Sequence, residues 1–208
     1  ALIGDLTFSI YHICVTAHHG VSVRVPLSDG RFDLAAMAAR ITPKTRLVFI
    51  CNPNNPTGTM VTRKELDGFL ERLPANALVL MDEAYAEYAD DPDFPDTVED
   101  VRRGAPVLAM RTFSKMYGLA GLRIGYGLAP APVVEAMNRV RLPFNTNTLA
   151  QAAAAAALGD ARHITQSLRL NRAGRRYLTE SLRDMGLTVL PSQANFVLFD
   201  APDAVWMR

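Results

Sequence analysis

The 208-residue chain predicts an α/β protein: a three-layer sandwich around a mainly parallel central sheet, followed by part of a smaller α/β domain. Three observations carry this expectation. Short continuous apolar runs ("TRLVFIC", "ALVLMD", "PVLAMRT") alternate with helical patterns, as strands buried on both faces do. Polar groups cluster just after these runs, where open α/β sheets place their ligands. Past Pro130 the pattern turns to helices, one of them alanine-rich and a long one with Arg and Glu on its wet face.

The elements follow in order. "FSIYHICVTAHH" (Phe8 to His19) reads as a short helix and "VSVRVPL" (Val21 to Leu27) as extended chain. "DLAAMAARI" suits a helix capped by Asp33. Thr45 to Cys51 is the first buried strand. "TRKELDGFLERL" is an amphipathic helix in which Thr62 and Glu65 form a capping box. Ala77 to Asp82, Pro106 to Thr112 and Arg123 to Ala129 are three further strands. Two helices follow, "APVVEAMNRVR" and the alanine-rich "TLAQAAAAAAL", and then a long one from about Ala161 to Met185. "LTVLP" and "NFVLFD" alternate like strands of a second layer, and "DAVWMR" resembles a helix start. The expected division is residues 1–170 as a large domain and 171–208 as the beginning of a smaller one. With no initiating methionine and no stop signal after "DAVWMR", the chain is expected to be a piece of a longer protein.

Composition narrows the function classes. A net charge of +1 gives no case for a nucleic-acid or membrane partner. Two cysteines, Cys14 and Cys51, without a tight Cys/His cluster fit a reducing, cytoplasmic setting and offer no zinc or other metal site. One long uncharged stretch, Leu142 to Gly159, contains Asn, Thr and Gln, and its apolar part is mostly alanine, so it is a poor membrane span. No GxGxxG follows the first strand and no GxxxxGK[ST] occurs, so dinucleotide and P-loop readings lack their usual support.

The stretch "CNPNNPTG" packs asparagines and prolines directly behind a strand. Alone, Asn55 is a turn residue, Asp82 a cap, Lys115 a surface charge and Arg123 half of a surface ion pair. On a parallel sheet, though, all of them arrive at one edge. A carboxylate there can hold a proton on a heteroaromatic nitrogen, an amide can bond a phenolic oxygen, and a lysine can carry a carbonyl covalently and then move protons. "RTFSKMYGLAGLR" adds Thr112, Ser114 and Arg123 for a phosphate, with Gly118 and Gly121 permitting close approach. The set describes a cradle for pyridoxal phosphate.

"NPNNPTG", "MDEAY" and "RTFSKMYGLAGLRIGY" resemble, in order and separation, the signatures of fold-type I pyridoxal-phosphate aminotransferases of the aspartate aminotransferase superfamily. The chain is most similar to the histidinol-phosphate aminotransferase family. The resemblance implies that Lys115 is the catalytic, cofactor-linked lysine and that Asp82 meets the pyridine nitrogen. Asn55 and Tyr85 would donate to the phenolic oxygen, and Thr112, Ser114 and Arg123 would hold the phosphate. Phe8 would stack on the ring, although Leu6 stands where the family usually has proline. Asn195 is similar to a residue on the substrate's carboxylate side. The implied substrates are an amino donor such as histidinol phosphate and a 2-oxo acid acceptor such as 2-oxoglutarate, and the implied assembly is a homodimer. The family's carboxylate-gripping arginine and N-terminal phosphate turn would fall outside the chain. Rival readings are an aromatic aminotransferase, a decarboxylase of the threonine-phosphate type, and a non-enzymatic regulatory domain built on the same cradle.

Overall fold

A computed structural model describes residues 1–201; the helix start expected at 203–208 lies outside the described residues. Six strands form one sheet: β1 (Leu2–Gly4), β2 (Val23–Val25), β3 (Leu47–Cys51), β4 (Leu78–Asp82), β5 (Val107–Thr112) and β6 (Gly125–Leu128). Their order across the sheet is β2-β1-β3-β4-β5-β6. All neighbours run parallel except β5 and β6, which are antiparallel. The central strands are apolar because both faces are covered. Val48, Ile50, Val79, Met81, Val107 and Ala109 have no exposed surface.

Helices α1 (Ile10–Ala17), α2 (Leu34–Ala39), α3 (Arg63–Leu70) and α4 (Thr97–Arg102) lie between successive strands. Their starts follow from local chemistry. Asp33 accepts the amide of Ala36, Thr62 and Glu65 close a reciprocal capping box, and Asp96 accepts the amide of Glu99. Each satisfies donors that a helix end otherwise leaves bare. Helices α5 (Ala131–Val140), α6 (Thr148–Leu158) and α7 (Ala161–Asp184) follow the sheet. Among the described residues, no helix is long and apolar enough to cross a membrane.

Three features depart from the sequence reading. Strand β1 is only three residues long and is held between β2 and β3. Helix α4 was not expected, because its six residues, "TVEDVR", are mostly polar. The two strands expected after α7 reduce to one antiparallel bridge, Val189 to Phe199, flanked by bonds between Leu190 and Leu198 and between Asp200 and Thr188. Two short segments pairing only with each other lack the third strand that stabilises a sheet.

The path of the chain fixes where a ligand can sit. From β1 the chain moves outward to β2, then crosses back to β3 on the other side of β1. In open α/β sheets a ligand sits at the carboxyl ends of the strands where the order reverses in this way, here those of β1 and β3.

Candidate active site

The loops leaving β1 and β3 meet at that point, and they are stapled together. Asn54 has no exposed surface. Its Oδ1 accepts from the Thr7 hydroxyl at 2.7 Å, while its Nδ2 donates to the Leu6 carbonyl at 3.0 Å and to Thr57 Oγ1 at 2.9 Å. Asn52, equally buried, accepts the Val61 amide at 2.9 Å. The Asn52-Pro53 and Asn55-Pro56 bonds are both cis. Thus two asparagines of "NPNNPTG" hold the loop in shape, and the half-buried Asn55 is engaged by neither network. Gly58 closes the turn at φ +75°, where a side chain would meet Ser192; its carbonyl accepts the Gln193 amide at 2.7 Å.

Asp82 is the last residue of β4 and is half-buried. The Tyr11 hydroxyl donates to its Oδ2 at 2.6 Å, and the Ala84 amide donates to its Oδ1 at 3.1 Å. Tyr11 stacks on Phe49 with centroids 5.0 Å apart. The exposed Phe8 stands edge-on to Tyr11 at 5.7 Å. Burial, reinforced by Cys51 and Asp82 alongside, pushes the Tyr11 phenol far above its ordinary pKa, so it stays a donor. Burial, with Asp82 beside it, likewise pushes the Cys51 thiol up to about 12.

Lys115 lies on the same edge. Its ammonium sits 5.2 Å from the ring centroid of Tyr85, within cation–π range, and Tyr85 lies three residues past Asp82. Tyr85 is buried and packs edge-on against Phe196 at 5.0 Å. Thr112 ends β5, and its hydroxyl accepts the Ser114 amide at 3.1 Å. Arg123 precedes β6 in the left-handed region, at φ +55°, an uncommon setting for a side-chain-bearing residue. Its guanidinium donates to the Ala120 carbonyl at 2.6 Å and is exposed.

The segments carrying Tyr85 and Lys115 are braced from α7. Asp90 receives Arg172 at 3.0 Å and Arg175 at 2.8 Å. A ring nitrogen of His163 bonds the Met116 carbonyl at 2.9 Å, next to Lys115. Asn195 is exposed and lines a small cleft with Asn171, Arg175 and Leu178 of α7, while Ala194 and Phe196 on either side of it pack with Tyr85.

Residues 1–207 match the family model described as aminotransferase class I and II. The chain belongs to that family. It is 50% identical over 200 residues to a histidinol-phosphate aminotransferase of Moorella thermoacetica, covering 96% of this chain and 52% of the relative. A second such enzyme, from Brevibacillus brevis, is 46% identical, covering 96% and 55%. Among solved structures, histidinol-phosphate aminotransferase of Sinorhizobium meliloti in complex with pyridoxal-5'-phosphate superposes with a TM-score of 0.91 at 32% identity, over 99% of this chain and 56% of that one. The chain spans about half the length of the curated relatives it matches.

Tyr11 escaped the sequence reading, although a signal was present. It lies one helical turn after Phe8, a spacing at which side chains share a face. The pair Glu83 and Arg111 was also missed. Each is adjacent to an expected site residue, but on strands a neighbour points to the opposite face.

Proposed function

We propose that the protein is a pyridoxal-phosphate-dependent aminotransferase whose amino donor is histidinol phosphate and whose acceptor is 2-oxoglutarate. The observation that carries this reading is the position of Lys115, its amine over Tyr85 on the edge where Asp82 ends β4. The names of relatives at 46–50% identity support the substrate choice.

The donor set fits the cofactor. Asp82 keeps two fixed donors behind its carboxylate and would meet the ring nitrogen. Asn55 and Tyr85 would donate to the phenolic oxygen. Thr112, Ser114 and Arg123 would take the phosphate through hydroxyls and a guanidinium fork. Phe8, exposed above Tyr11, would lie against the ring. When bound, the cofactor supplies an electron sink for the carbanion formed at the substrate's α-carbon.

The chain's own residues do the rest. Lys115 would take the α-proton from the amino donor and return it two bonds away, on the carbon across the amino nitrogen, acting as general base and then general acid. Tyr11 keeps Asp82 turned toward the ring by holding one oxygen. The half-reaction runs in reverse with the 2-oxo acid. Asn195 would contact the substrate on its carboxylate side. A homodimer in the cytoplasm is the setting this reading carries with it.

The test uses the protein with pyridoxal phosphate, followed by visible absorbance. A yellow protein bleached by histidinol phosphate more readily than by phenylalanine or tyrosine is expected. Borohydride should fix the cofactor on Lys115, and Lys115→Ala should bind it without a reducible link or turnover. A link that persists in Lys115→Ala would overturn the assignment. Release of carbon dioxide instead of exchange with a 2-oxo acid would move the reading to a decarboxylase.

A further inference from the structure

A second cluster lies on the face of the sheet opposite the candidate site. Strand pairing makes this explicit. Asp82 pairs with Met110, and Met110 shares a face with Thr112 two residues on. Met81 pairs with Ala109, and the same alternation puts Glu83 and Arg111 together on the other face. Glu83 has no exposed surface. Its Oε2 accepts Arg111 Nε at 2.9 Å, and its Oε1 accepts the hydroxyl of the equally buried Thr97, from α4. Its amide donates to the Met110 carbonyl at 2.9 Å, extending the ladder one step past Asp82. A second carboxylate, Glu87, lies near the same guanidinium, and neither of its buried oxygens has a hydrogen-bond partner.

The two halves of this ion pair are the immediate neighbours of Asp82 and Thr112. Any axial slip between β4 and β5 would separate the carboxylate end of the cradle from the hydroxyl and lysine end. The guanidinium–carboxylate bond opposes that slip, and Thr97 holds the carboxylate's other oxygen. We propose that Glu83 and Arg111, braced by Thr97, are positioning residues that set the span between Asp82 and Lys115. The proposal rests on the functional reading above for its catalytic consequence, though not for its structural one.

Arg111→Lys keeps the charge but loses the planar fork. It should fold, lower kcat about 100-fold, as a misplacement of the order of 1 Å does, and leave the KM for the amino donor within about twofold, because the loss falls on orientation rather than uniform binding. A double variant, Glu83→Leu with Arg111→Met, separates positioning from stability. Apolar pairs often replace buried ion pairs without loss of stability, so its thermal midpoint should match the wild type while kcat stays depressed. A double variant with wild-type midpoint and wild-type kcat overturns the proposal, and so does an Arg111→Lys protein with unchanged kcat. Native-state hydrogen exchange without cofactor gives an independent reading. In Arg111→Lys the Glu83 amide should exchange about tenfold or more faster, as locally opened amides do, while the Val79 amide, bonded to the Pro106 carbonyl, keeps its rate. Equal rates at Glu83 in both proteins overturn the clamp. A wild type that takes no pyridoxal phosphate but shows the exchange difference overturns the functional reading and leaves the clamp standing.

Discussion

The Tyr11 hydroxyl donates to Asp82 across 2.6 Å, from the first turn of α1 to the last residue of β4. Tyr11 is itself fixed by stacking on Phe49 and by Phe8 at its edge. The carboxylate therefore has one oxygen held by a buried phenol and the other by a backbone amide, so its direction is decided by the fold.

Tyr11→Phe tests that relationship. It keeps the stacking and removes only the hydroxyl. A hydrogen bond to a charged group contributes about 1.5–3 kcal/mol, and equilibrium denaturation should show a loss of this order. Asp82 would also be freer to turn, so affinity for pyridoxal phosphate should fall roughly tenfold, the low end for losing a group that orients a ligand from behind. Stability and affinity both unchanged would mean that the bond does not orient the carboxylate.

Asn54 and Asn55 should separate cleanly on substitution despite being neighbours. Asn54→Ala removes two hydrogen bonds between the loops after β1 and β3 and a third within the latter, and takes a partner from the buried Thr57 hydroxyl. A loss of about 3 kcal/mol is expected in denaturant titration, together with weaker cofactor binding because Phe8 and Asn55 lose their common anchor. Asn55→Ala should weaken binding with a stability change within about 0.5 kcal/mol, as for a residue outside such networks.

This contrast also shows what a sequence can disclose. The strands were legible because burial on both faces makes them continuous apolar runs, and Asp82 and Thr112 were legible because parallel strands deliver their ends to one edge. The roles of the asparagines were not legible. Nothing in "NPNNPTG" says that Asn54 faces Thr7, which is 47 residues away. Tyr11 and Asp82 are 71 residues apart, and their meeting depends on β1 and β4 lying on either side of β3. Helix α4 is too short and polar to show periodicity, and its role emerges only when Thr97 meets Glu83. The three residues of β1 are too few for any pattern.

Glu87 makes stability depend on pH in a defined direction. Burial raises its pKa above the ordinary 4.5, with Arg111 only partly opposing, and the Tyr88 and Tyr117 phenols lie within its influence. A carboxyl whose folded pKa exceeds its unfolded one binds its proton more tightly in the native state. Its contribution is complete below about 4.5 and is lost as pH rises through the folded value. Glu87→Gln should therefore lose that part of the pH dependence, with the remainder left to Glu83, whose pKa burial also raises. At pH 7 the variant should melt a few degrees higher, roughly 2–4 °C for each kcal/mol recovered. A steeper fall in thermal midpoint between pH 5 and pH 7 than in the wild type would contradict this sign.

The two cysteines should differ sharply toward thiol reagents. Cys14 is exposed on α1, whereas Cys51 is buried at the end of β3, where its thiol donates to the Pro53 carbonyl at 3.4 Å. Reaction requires the thiolate, and burial next to Asp82 pushes the Cys51 pKa up to about 12. At pH 8 the anionic fraction of such a thiol is about four orders of magnitude below one, before access is considered. Mass spectrometry after brief iodoacetamide treatment should find one label, at Cys14, and a second only in denaturant. Tyr11→Phe provides the sharper version. If that phenol helps to seal the β3 end, its variant should label Cys51 faster under native conditions at an unchanged Cys14 rate, and equal Cys51 rates in the two proteins would show that Phe49 and the loop alone close the site.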